Sequence, residues 1–330
     1  MNNLYLVSND KVWFSKKKYT SNNDLENIIS SLNKKFKIQL ICRKSSVQNK
    51  FLLKSKFDYC ELNEIYEKKI NLFLISITPF NFFVFLYLNY FKKIKINGFV
   101  YLRSDGFMEY KYRLGVLGYY LYFVMFWIIS KKLKIISCSK NFTKVKVNKI
   151  VHPSELNKKW LMKNRSNKFS YDFLYVGRFK KEKGVMYLAE QFKNFLDDYT
   201  LKIIGTDKKF IPKKFHCKNI NYIGSISNVN KLVNFYDKSR IFILPSYIEG
   251  FPKVISESLA RLRPVIIFED IKYVIHGRKG IFVCKRNEKS LRKTINYILK
   301  NYSKIQIQIK KNFFFTKKNF MEELVNSIKL

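Results

Sequence analysis

Short apolar runs alternate with helical patterns along the second half of the chain. The runs are rich in Val, Ile, Phe and Tyr, and the patterns between them repeat apolar residues at helical spacing. This alternation predicts a parallel sheet with helices on both faces. The predicted strands are Phe173–Val176, Leu201–Ile204, Ile220–Ile223, Ile241–Leu244, Val265–Phe268 and Ile281–Val283, and the predicted helices are Val185–Leu196, Val229–Tyr236, Val254–Leu262 and Leu291–Leu299.

The first half carries a weaker form of the same signal, with predicted strands at Leu4–Val7, Ile38–Cys42, Leu72–Ile77, Phe99–Leu102 and Ile135–Cys138. A polar, basic stretch separates the two halves. We therefore predict an α/β protein of two Rossmann-like domains that face each other across a cleft. The predicted boundaries are 1–152 for the N-terminal domain, 153–170 for a hinge, 171–312 for the C-terminal domain and 313–330 for a C-terminal helix.

One apolar stretch, residues 114–129, carries no charged side chain. It is shorter than the roughly 20 residues that a helix needs to span a bilayer. Tyr and Trp residues within it, and Lys and Arg residues on both sides, are typical of a helix in the membrane interface. Three interpretations stay open: a helix buried in the core, an interfacial helix and a marginal membrane span.

Composition adds a strong positive charge to this picture. The 330 residues have a formal net charge of +40 and are 47% hydrophobic, so the chain is globular rather than disordered. Such a charge favours anionic partners, namely nucleotide phosphates, nucleic acid or an anionic membrane. The joint abundance of Lys, Asn, Ile, Phe and Tyr is also what an AT-rich genome produces, and both causes of the charge stay open.

Cysteine and histidine give no metal-binding or disulfide pattern. The five cysteines are scattered and only three histidines are present, which argues for a reducing compartment. We predict no metal and no cofactor. The N-terminus lacks a basic leader and a long apolar segment, so it predicts a first strand rather than a signal peptide.

Two glutamates, Glu249 and Glu257, lie where a predicted strand passes through a loop into a helix. Open α/β sheets build ligand sites in such loops, at the carboxyl ends of strands. With the helix beginning near Pro252, the two carboxylates would stand roughly 10 Å apart. This separation suits gripping two ends of an elongated polar ligand better than sharing a proton.

A second candidate lies in the turn after Phe173–Val176, where Gly177 is followed by Arg178 and Lys183 and a helix begins near Gly184. The turn has no P-loop pattern. An arginine fork, a lysine charge and a helix N-terminus each favour an anion, and a diphosphate is the natural occupant. A solvated basic turn is the alternative.

Taken together, the two segments resemble the family 4 glycosyltransferases of the GT-B fold. Residues 177–184 resemble the family's Gly-Arg…Glu-Lys-Gly turn, and residues 249–257 resemble its E-x7-E motif. Residues 258–266 and 280–283 resemble the helix and strands that follow. The resemblance covers residues 170–300 well and the first half only in general terms. It implies a GT-B fold, a retaining mechanism and no bound metal.

The resemblance also implies roles for individual residues. Arg178 and Lys183 would hold the donor's diphosphate and stabilise the charge that develops on the leaving group. Glu249 would accept hydrogen bonds from the hydroxyls of the transferred sugar, and Glu257 from those of the ribose. The remaining contacts to sugar or phosphate would come from the backbone of Gly250, Phe251 and Pro252.

The chain departs from the family pattern in several places. Leu262 and Arg263 stand where the family often has a glycine before its next strand. Residues 8–13, after the first predicted strand, lack the family's glycine-rich loop. Many members carry a histidine near the reacting centre in the N-terminal domain, whereas no histidine precedes His152 here.

Arg103 and Asp105 are the candidates on the acceptor side. They follow the predicted strand Phe99–Leu102 and resemble an Asp-Gly-containing turn of family members that build surface polysaccharides. Asp105 would orient or deprotonate the acceptor hydroxyl. The alternative is an ordinary Asp-Gly turn.

These inferences converge on a cytoplasmic hexosyltransferase, peripheral at the inner face of the membrane. It would move a hexose from a nucleoside-diphosphate sugar to a lipid-linked or polysaccharide acceptor, with retention. An anionic membrane surface is a further expected partner, and nucleic acid is not expected. The alternative from another class is a non-catalytic basic protein that binds nucleic acid or an anionic membrane. A sugar-nucleotide epimerase is disfavoured because no GxGxxG follows the first strand.

Overall fold

The chain divides into two compact units, which we describe separately. The first comprises Met1–Pro153 together with Lys317–Leu330, and the second comprises Ser154–Thr316. The computed structural model describes residues 2–15, 18–48, 51–143, 145–161, 168–194 and 196–328. The last segment of the chain thus belongs to the first unit.

The first unit is built from strands, helices and one π-helical turn. The strands are β1 (Asn2–Ser15), β2 (Lys18–Ser21), β3 (Phe36–Lys44), β4 (Phe51–Leu53), β5 (Asp58–Tyr59), β6 (Lys69–Ile75), β7 (Lys95–Leu102), β8 (Lys134–Ser137) and β9 (Lys149–Ile150). The helices are α1 (Asn23–Leu32), α2 (Pro79–Leu86), which runs into the π-helical turn Tyr87–Phe91, α3 (Gly106–Ser130) and, from the end of the chain, α10 (Lys317–Ser327).

A parallel sheet forms the centre of the first unit, in the order β5-β3-β1-β6-β7-β8-β9. β2 and β4 add a short antiparallel extension at the end of β1. All strands that the sequence predicts for this half overlap observed strands. The pairing of β1 with β3 shifts register between Ser8 and Lys11, which places a bulge at the carboxyl end of the apolar part of β1.

The C-terminal helix finds its packing partner in α1. Asn22 caps α1, because its side-chain oxygen accepts a hydrogen bond from the Leu25 amide at 2.9 Å. From α10, Phe320 and Leu324 are buried, and Leu25 and Ile29 are buried on α1. The sequence predicted this terminal helix but not the partner, since burial against a distant helix leaves no local signal.

Helix α3 contains the apolar stretch whose placement the sequence left open. Gly115, with φ of 67° and ψ of −153°, interrupts the helix. Beyond it, Tyr122 and Phe126 are buried in the core, whereas Leu117 is 79% exposed. A helix buried on all sides is therefore excluded. Among the described residues, α3 is the one helix that is long and apolar enough to cross a membrane. A core helix of a soluble protein can pass the same test of length and composition.

The second unit alternates strands and helices as the sequence predicts. Its strands are β10 (Tyr171–Val176), β11 (Leu201–Ile204), β12 (Ile220–Ile223), β13 (Ser239–Leu244), β14 (Val265–Phe268) and β15 (Ile281–Cys284). Its helices are α4 (Lys158–Leu161), α5 (Val185–Asn194), α6 (Val229–Lys238), α7 (Lys253–Ala260), α8 (Glu288–Lys300) and α9 (Tyr302–Lys310). Within the described residues these strands form one parallel sheet in the order β12-β11-β10-β13-β14-β15. This is the doubly wound order of a Rossmann-like domain.

Helix α7 ends two residues earlier than predicted, in a Schellman motif. The Arg263 amide donates to the Ser258 carbonyl at 3.0 Å, and the Leu262 amide donates to the Leu259 carbonyl at 2.9 Å. Leu262 has φ of 59°, the left-handed conformation that glycine usually supplies at this position. The backbone here has the shape that a glycine would adopt, although the residue is a leucine.

Candidate active site

The two candidate segments of the second unit meet at the point where the strand order of the sheet reverses. β10 and β13 are neighbours and pair in parallel, so their carboxyl ends lie side by side. The turn at 177–184 follows β10, and the loop at 245–252 follows β13. Connections diverge from such a switch point, and the crevice between them is where open α/β sheets bind ligands.

Gly184 brings the two segments into contact. It has φ of 62°, and a Cβ atom added to it would lie 1.9 Å from the carbonyl oxygen of Pro245. The Tyr247 amide also donates to the Glu182 carbonyl at 3.0 Å. A side chain at position 184 would therefore separate the turn from the loop, which explains a glycine there in physical terms.

Lys183 and Glu249 form an ion pair across this contact. Lys183 Nζ lies 2.8 Å from Glu249 Oε1, and Ser246 Oγ donates to the same oxygen at 2.6 Å. The side chains of Lys183 and Glu249 are 22% and 11% exposed, so the pair is largely shielded but reachable from solvent. A lysine ammonium has three donors, so Lys183 can hold this carboxylate and still donate to an anion.

Tyr273 fixes the backbone of Glu249. Its hydroxyl accepts a hydrogen bond from the Glu249 amide at 3.1 Å and donates to the Glu249 carbonyl at 2.7 Å. One side chain thus satisfies both polar backbone groups of a loop residue. This arrangement limits where the Glu249 carboxylate can point.

Arg286 supports the same loop through its carbonyl groups. Its Nη2 donates to the carbonyls of Pro245 at 2.8 Å and Ser246 at 3.0 Å, and its Nε donates to Asp270 at 2.8 Å. The guanidinium also lies 3.8 Å from the ring centroid of Tyr247. The loop is therefore held by a partly buried guanidinium, one nitrogen of which donates to two adjacent carbonyls.

Neither supporting residue belongs to the segments that the sequence pattern singles out. Tyr273 follows β14, the neighbour of β13, and Arg286 follows β15, the neighbour of β14, so both lie beyond carboxyl ends of strands on the same side of the sheet. Searching polar and aromatic side chains after every strand, and not only after β10 and β13, would have found them.

Arg178 is exposed, and the described contacts at this residue involve its backbone. The Tyr175 hydroxyl donates to the Arg178 carbonyl at 3.0 Å, and the next amide, of Phe179, donates to Thr206 Oγ1 at 3.0 Å. These bonds fix the path of the backbone through the turn.

The other loop positions lie against the segment that precedes β15. The Phe251 ring stacks on His276 with centroids 5.6 Å apart, and the Arg278 guanidinium lies 5.5 Å from the Phe251 centroid. Burial lowers the pKa of Arg278 to about 10. Gly250 is buried, and α7 begins directly after Pro252.

Glu257 lies in a different environment from Glu249. It is only 7% exposed, and its Oε2 accepts a hydrogen bond at 2.9 Å from the hydroxyl of Tyr236 on α6. Burial and the nearby Glu257 carboxylate raise the pKa of Tyr236 well above its usual value. The structure thus brings Lys183 and Glu249 together at the loops and places Glu257 inside α7, beside a buried tyrosine.

The acceptor-side candidates lie in the first unit, after β7. The Asp105 side chain caps α3 and accepts a hydrogen bond from the Met108 amide at 3.1 Å. Burial raises the pKa of the Asp105 carboxyl, and the backbone hydrogen bonds only partly oppose this. Arg103 lies 3.9 Å from Asp10, at the bulge of β1, and 3.8 Å from Asp24, at the start of α1. Asp105 and Arg103 therefore face different partners.

Comparison with known proteins identifies the fold class. Anabaena HepE in complex with UDP-glucose is 11% identical to this chain, covers 98% of each chain and superposes with a TM-score of 0.66. At this identity the likeness shows the fold, and the predicted GT-B fold is confirmed.

The family model described as Glycosyl transferases group 1 matches residues 157–313, a range that lies within the second unit. An uncharacterized glycosyltransferase of Haemophilus influenzae is 26% identical over 48% of this chain and 51% of its own length. The capsular polysaccharide biosynthesis glycosyltransferase CapM of Staphylococcus aureus is 30% identical over 39% of this chain and 37% of its own length. The chain spans about half the length, or less, of these curated relatives.

Proposed function

We propose that this protein is a retaining glycosyltransferase that moves a hexose from a nucleoside-diphosphate sugar to a lipid-linked or polysaccharide acceptor. The observation that carries the proposal is the Lys183–Glu249 pair at the switch point of the second sheet. A cation and a carboxylate side by side in this crevice match the diphosphate and the sugar hydroxyls of such a donor. HepE, which shares the fold, binds UDP-glucose, and CapM acts in capsular polysaccharide biosynthesis.

Lys183 and Arg178 bind the diphosphate of the donor. As the glycosidic bond breaks, negative charge grows on the leaving diphosphate, and these two cations stabilise it where water is partly excluded. Lys183 is held in advance by Glu249, so little side-chain freedom is lost when the donor binds.

Glu249 binds the hydroxyls of the transferred sugar. Both of its described side-chain hydrogen bonds end on Oε1, and Oε2 is the atom that accepts from a sugar hydroxyl. The backbone of Gly250, Phe251 and Pro252 lines the sugar and phosphate. A charge-assisted hydrogen bond of this kind contributes about 1.5–3 kcal/mol.

Glu257 binds the ribose hydroxyls through its carboxylate. The Tyr236 hydroxyl donates to Oε2, which orients the carboxylate within α7. Because Glu257 is buried, an alanine at this position would also leave the Tyr236 hydroxyl without its acceptor. Glutamine is therefore the substitution that separates ribose binding from stability.

We place the acceptor on the first unit, near Arg103 and Asp105, and the enzyme in the cytoplasm at the membrane surface. Two roles compete for Asp105: a group that orients the acceptor hydroxyl and the cap of α3. The carboxylate already accepts from the Met108 amide, which favours the cap.

A thermal-shift screen of nucleoside diphosphates and their sugars tests the donor site. We expect one nucleotide to raise the Tm of the parent, and Glu249→Gln and Glu257→Gln to abolish or sharply reduce transfer while the protein stays folded. Tyr236→Phe, which keeps Glu257 but removes its partner, is the control for stability. Full transfer activity in both glutamate variants would contradict the proposal. Indifference to every nucleotide, with steeply salt-dependent binding of nucleic acid, would favour a non-catalytic basic protein.

A further inference from the structure

The outward side of α3 is apolar beyond Gly115, although the solvent-facing side of a helix is normally polar. We call this surface the apolar face. Its residues are 45–79% exposed, and none is charged. The face consists of Val116, Leu117, Tyr120, Leu121, Phe123, Val124 and Trp127.

The opposite side of the same helix is anchored in the first unit. Tyr122, Met125, Phe126 and Ile129 are buried, and the Phe107 ring lies 4.8 Å from that of Tyr122. The segment after Gly115 is about 22 Å long, shorter than the roughly 30 Å of a bilayer's hydrocarbon core. The segment after Gly115 is therefore too short to span a bilayer by itself, but with one side packed in the core of the first unit it can lie on a membrane.

Basic residues flank the apolar face at both ends. Lys111 and Arg113 precede it, and three exposed lysines follow it, at positions 131, 132 and 134. Lys131 Nζ lies 3.4 Å from the ring centroid of Trp127, so the face ends in a cation above an aromatic ring. Between residues 106 and 134 the single acidic residue is Glu109. Apolar and aromatic side chains bounded by cations are the pattern of an interfacial helix.

We propose that the apolar face of α3 docks on an anionic lipid bilayer, with the helix parallel to the membrane plane. The inference rests on the membrane location in the proposed function and is independent of the transfer step. A second copy of the chain fits less well, because two chains of charge +40 repel each other. The bilayer supplies both an apolar layer for Leu117 and Phe123 and anionic headgroups for the flanking lysines.

Vesicle flotation with the full chain tests the proposal. The probes are phosphatidylcholine vesicles with and without about 30% phosphatidylglycerol. This anionic lipid gives the vesicle surface a negative potential, which attracts basic segments. We expect binding to the anionic vesicles alone, weakened by salt. Leu117→Gln with Phe123→Gln should reduce the affinity at least tenfold. Phe210→Gln with Ile307→Gln, two similarly exposed apolar residues of the second unit, should leave it unchanged.

The fluorescence of Trp127 can report how deeply α3 lies in the bilayer. An interfacial helix places its side chains roughly 5–10 Å into the boundary between headgroups and acyl chains, so lipids brominated near the headgroup should quench its fluorescence. Trp127→Phe should remove this quenching. Equal binding by both pairs of variants, no binding at all, or dimerisation lost in the Leu117/Phe123 variant would overturn the proposal. Nucleotide-induced Tm shifts should persist in that variant, so that failure of docking and failure of the donor site are told apart.

Discussion

The turns after β10 and β7 are the clearest contrast in the molecule. Both carry charged residues beyond the carboxyl end of a parallel strand, and the sequence points to both for the same reason. In the second unit, Lys183 reaches a carboxylate from another strand's loop, at 2.8 Å. In the first, Asp105 accepts from the backbone of the helix that it begins.

The contrast shows that a charged residue at a strand end becomes a candidate binding group when a different loop determines its position. Glu249 is held by Ser246, by Tyr273 through its backbone, and by Lys183. Its geometry is thus set by several strands of the sheet. Asp105 serves a local purpose, since an aspartate before a helix stabilises its first amides. The four predictions that follow test this difference.

The largest effect is expected at the Lys183–Glu249 pair. Lys183→Met and Glu249→Gln should each lower kcat/KM by roughly 10²–10³, because each removes a group aimed at developing charge or at the sugar. If the two act as a unit, the double variant should lose far less than the product of the two factors. Steady-state transfer assays on all four proteins measure this coupling.

Glu288 and Arg292 supply the matched control, since they form an exposed pair at 2.9 Å on α8. Glu288→Gln should leave kcat/KM unchanged. Strictly multiplicative losses at Lys183 and Glu249 would show that the ion pair has no joint role.

The next largest effect is expected at Gly184. In Gly184→Ala the new Cβ meets the Pro245 carbonyl, so the turn and the loop must separate. Left-handed backbone strain and the overlap together should cost roughly 2–3 kcal/mol, with a parallel loss of transfer. Gly277 has φ of 71° but no atom within 4 Å of an added Cβ, so Gly277→Ala isolates the backbone strain. Equal losses in the two variants, measured by denaturant unfolding, would refute a role for the close contact.

A smaller effect is expected at Tyr273. Tyr273→Phe keeps the ring but removes the hydroxyl that bonds the Glu249 amide and carbonyl, and should lower kcat about tenfold. Tyr297→Phe, at an exposed position on α8, should have no effect. Because Tyr273 acts through Glu249, its loss should add little in a Glu249→Gln background. A full tenfold loss in that background would mean that the hydroxyl acts by another route.

The smallest effect is expected at Asp105. Burial raises the pKa of this carboxyl in the folded protein above its unfolded value, so its contribution to stability is complete below the unfolded pKa and falls as pH rises through the folded one. Asp105→Asn keeps the capping oxygen without the charge. It should be at least as stable as the parent at pH 7, within about 1 kcal/mol, and the difference should vanish below roughly pH 4. Transfer should be retained, and a hundredfold loss would instead assign Asp105 to the acceptor hydroxyl.

Local patterns predicted much of the fold. The strands of the second sheet appear where apolar, β-branched runs lie, because a strand buried on both faces is apolar along its length. The strands β2, β4, β5 and β9 and the helices α1, α4 and α9 were not predicted, and each of these four strands has only two to four residues to carry a signal. The end of α7 was placed two residues late, because a leucine at position 262 conceals a turn that a glycine would have marked.

The candidate site was predicted in part. Arg178, Lys183 and Glu249 were predicted because each follows a strand end in a recognisable segment; the structure brings Lys183 and Glu249 together, and the roles of all three stay predictions. Tyr273 and Arg286 escaped notice because hydrogen bonds to the backbone of a distant loop leave no pattern in the sequence around the donor. The outward exposure of α3 was an open question for a related reason: its apolar composition is compatible with a core, an interface or a span.

The sequence by itself determined the main strands and helices of the second unit and the charged residues that follow β10 and β13, whereas the strand order that makes these two strands neighbours came from the structure. These follow from periodicity and residue type, which act over a few neighbouring positions. Tertiary structure alone decided that Lys183 meets Glu249, that Glu257 lies against Tyr236, that Asp105 caps its own helix, and that one side of α3 stays exposed. Each of these depends on packing between segments far apart in the chain, where close approach and burial, and not local propensity, fix the contacts.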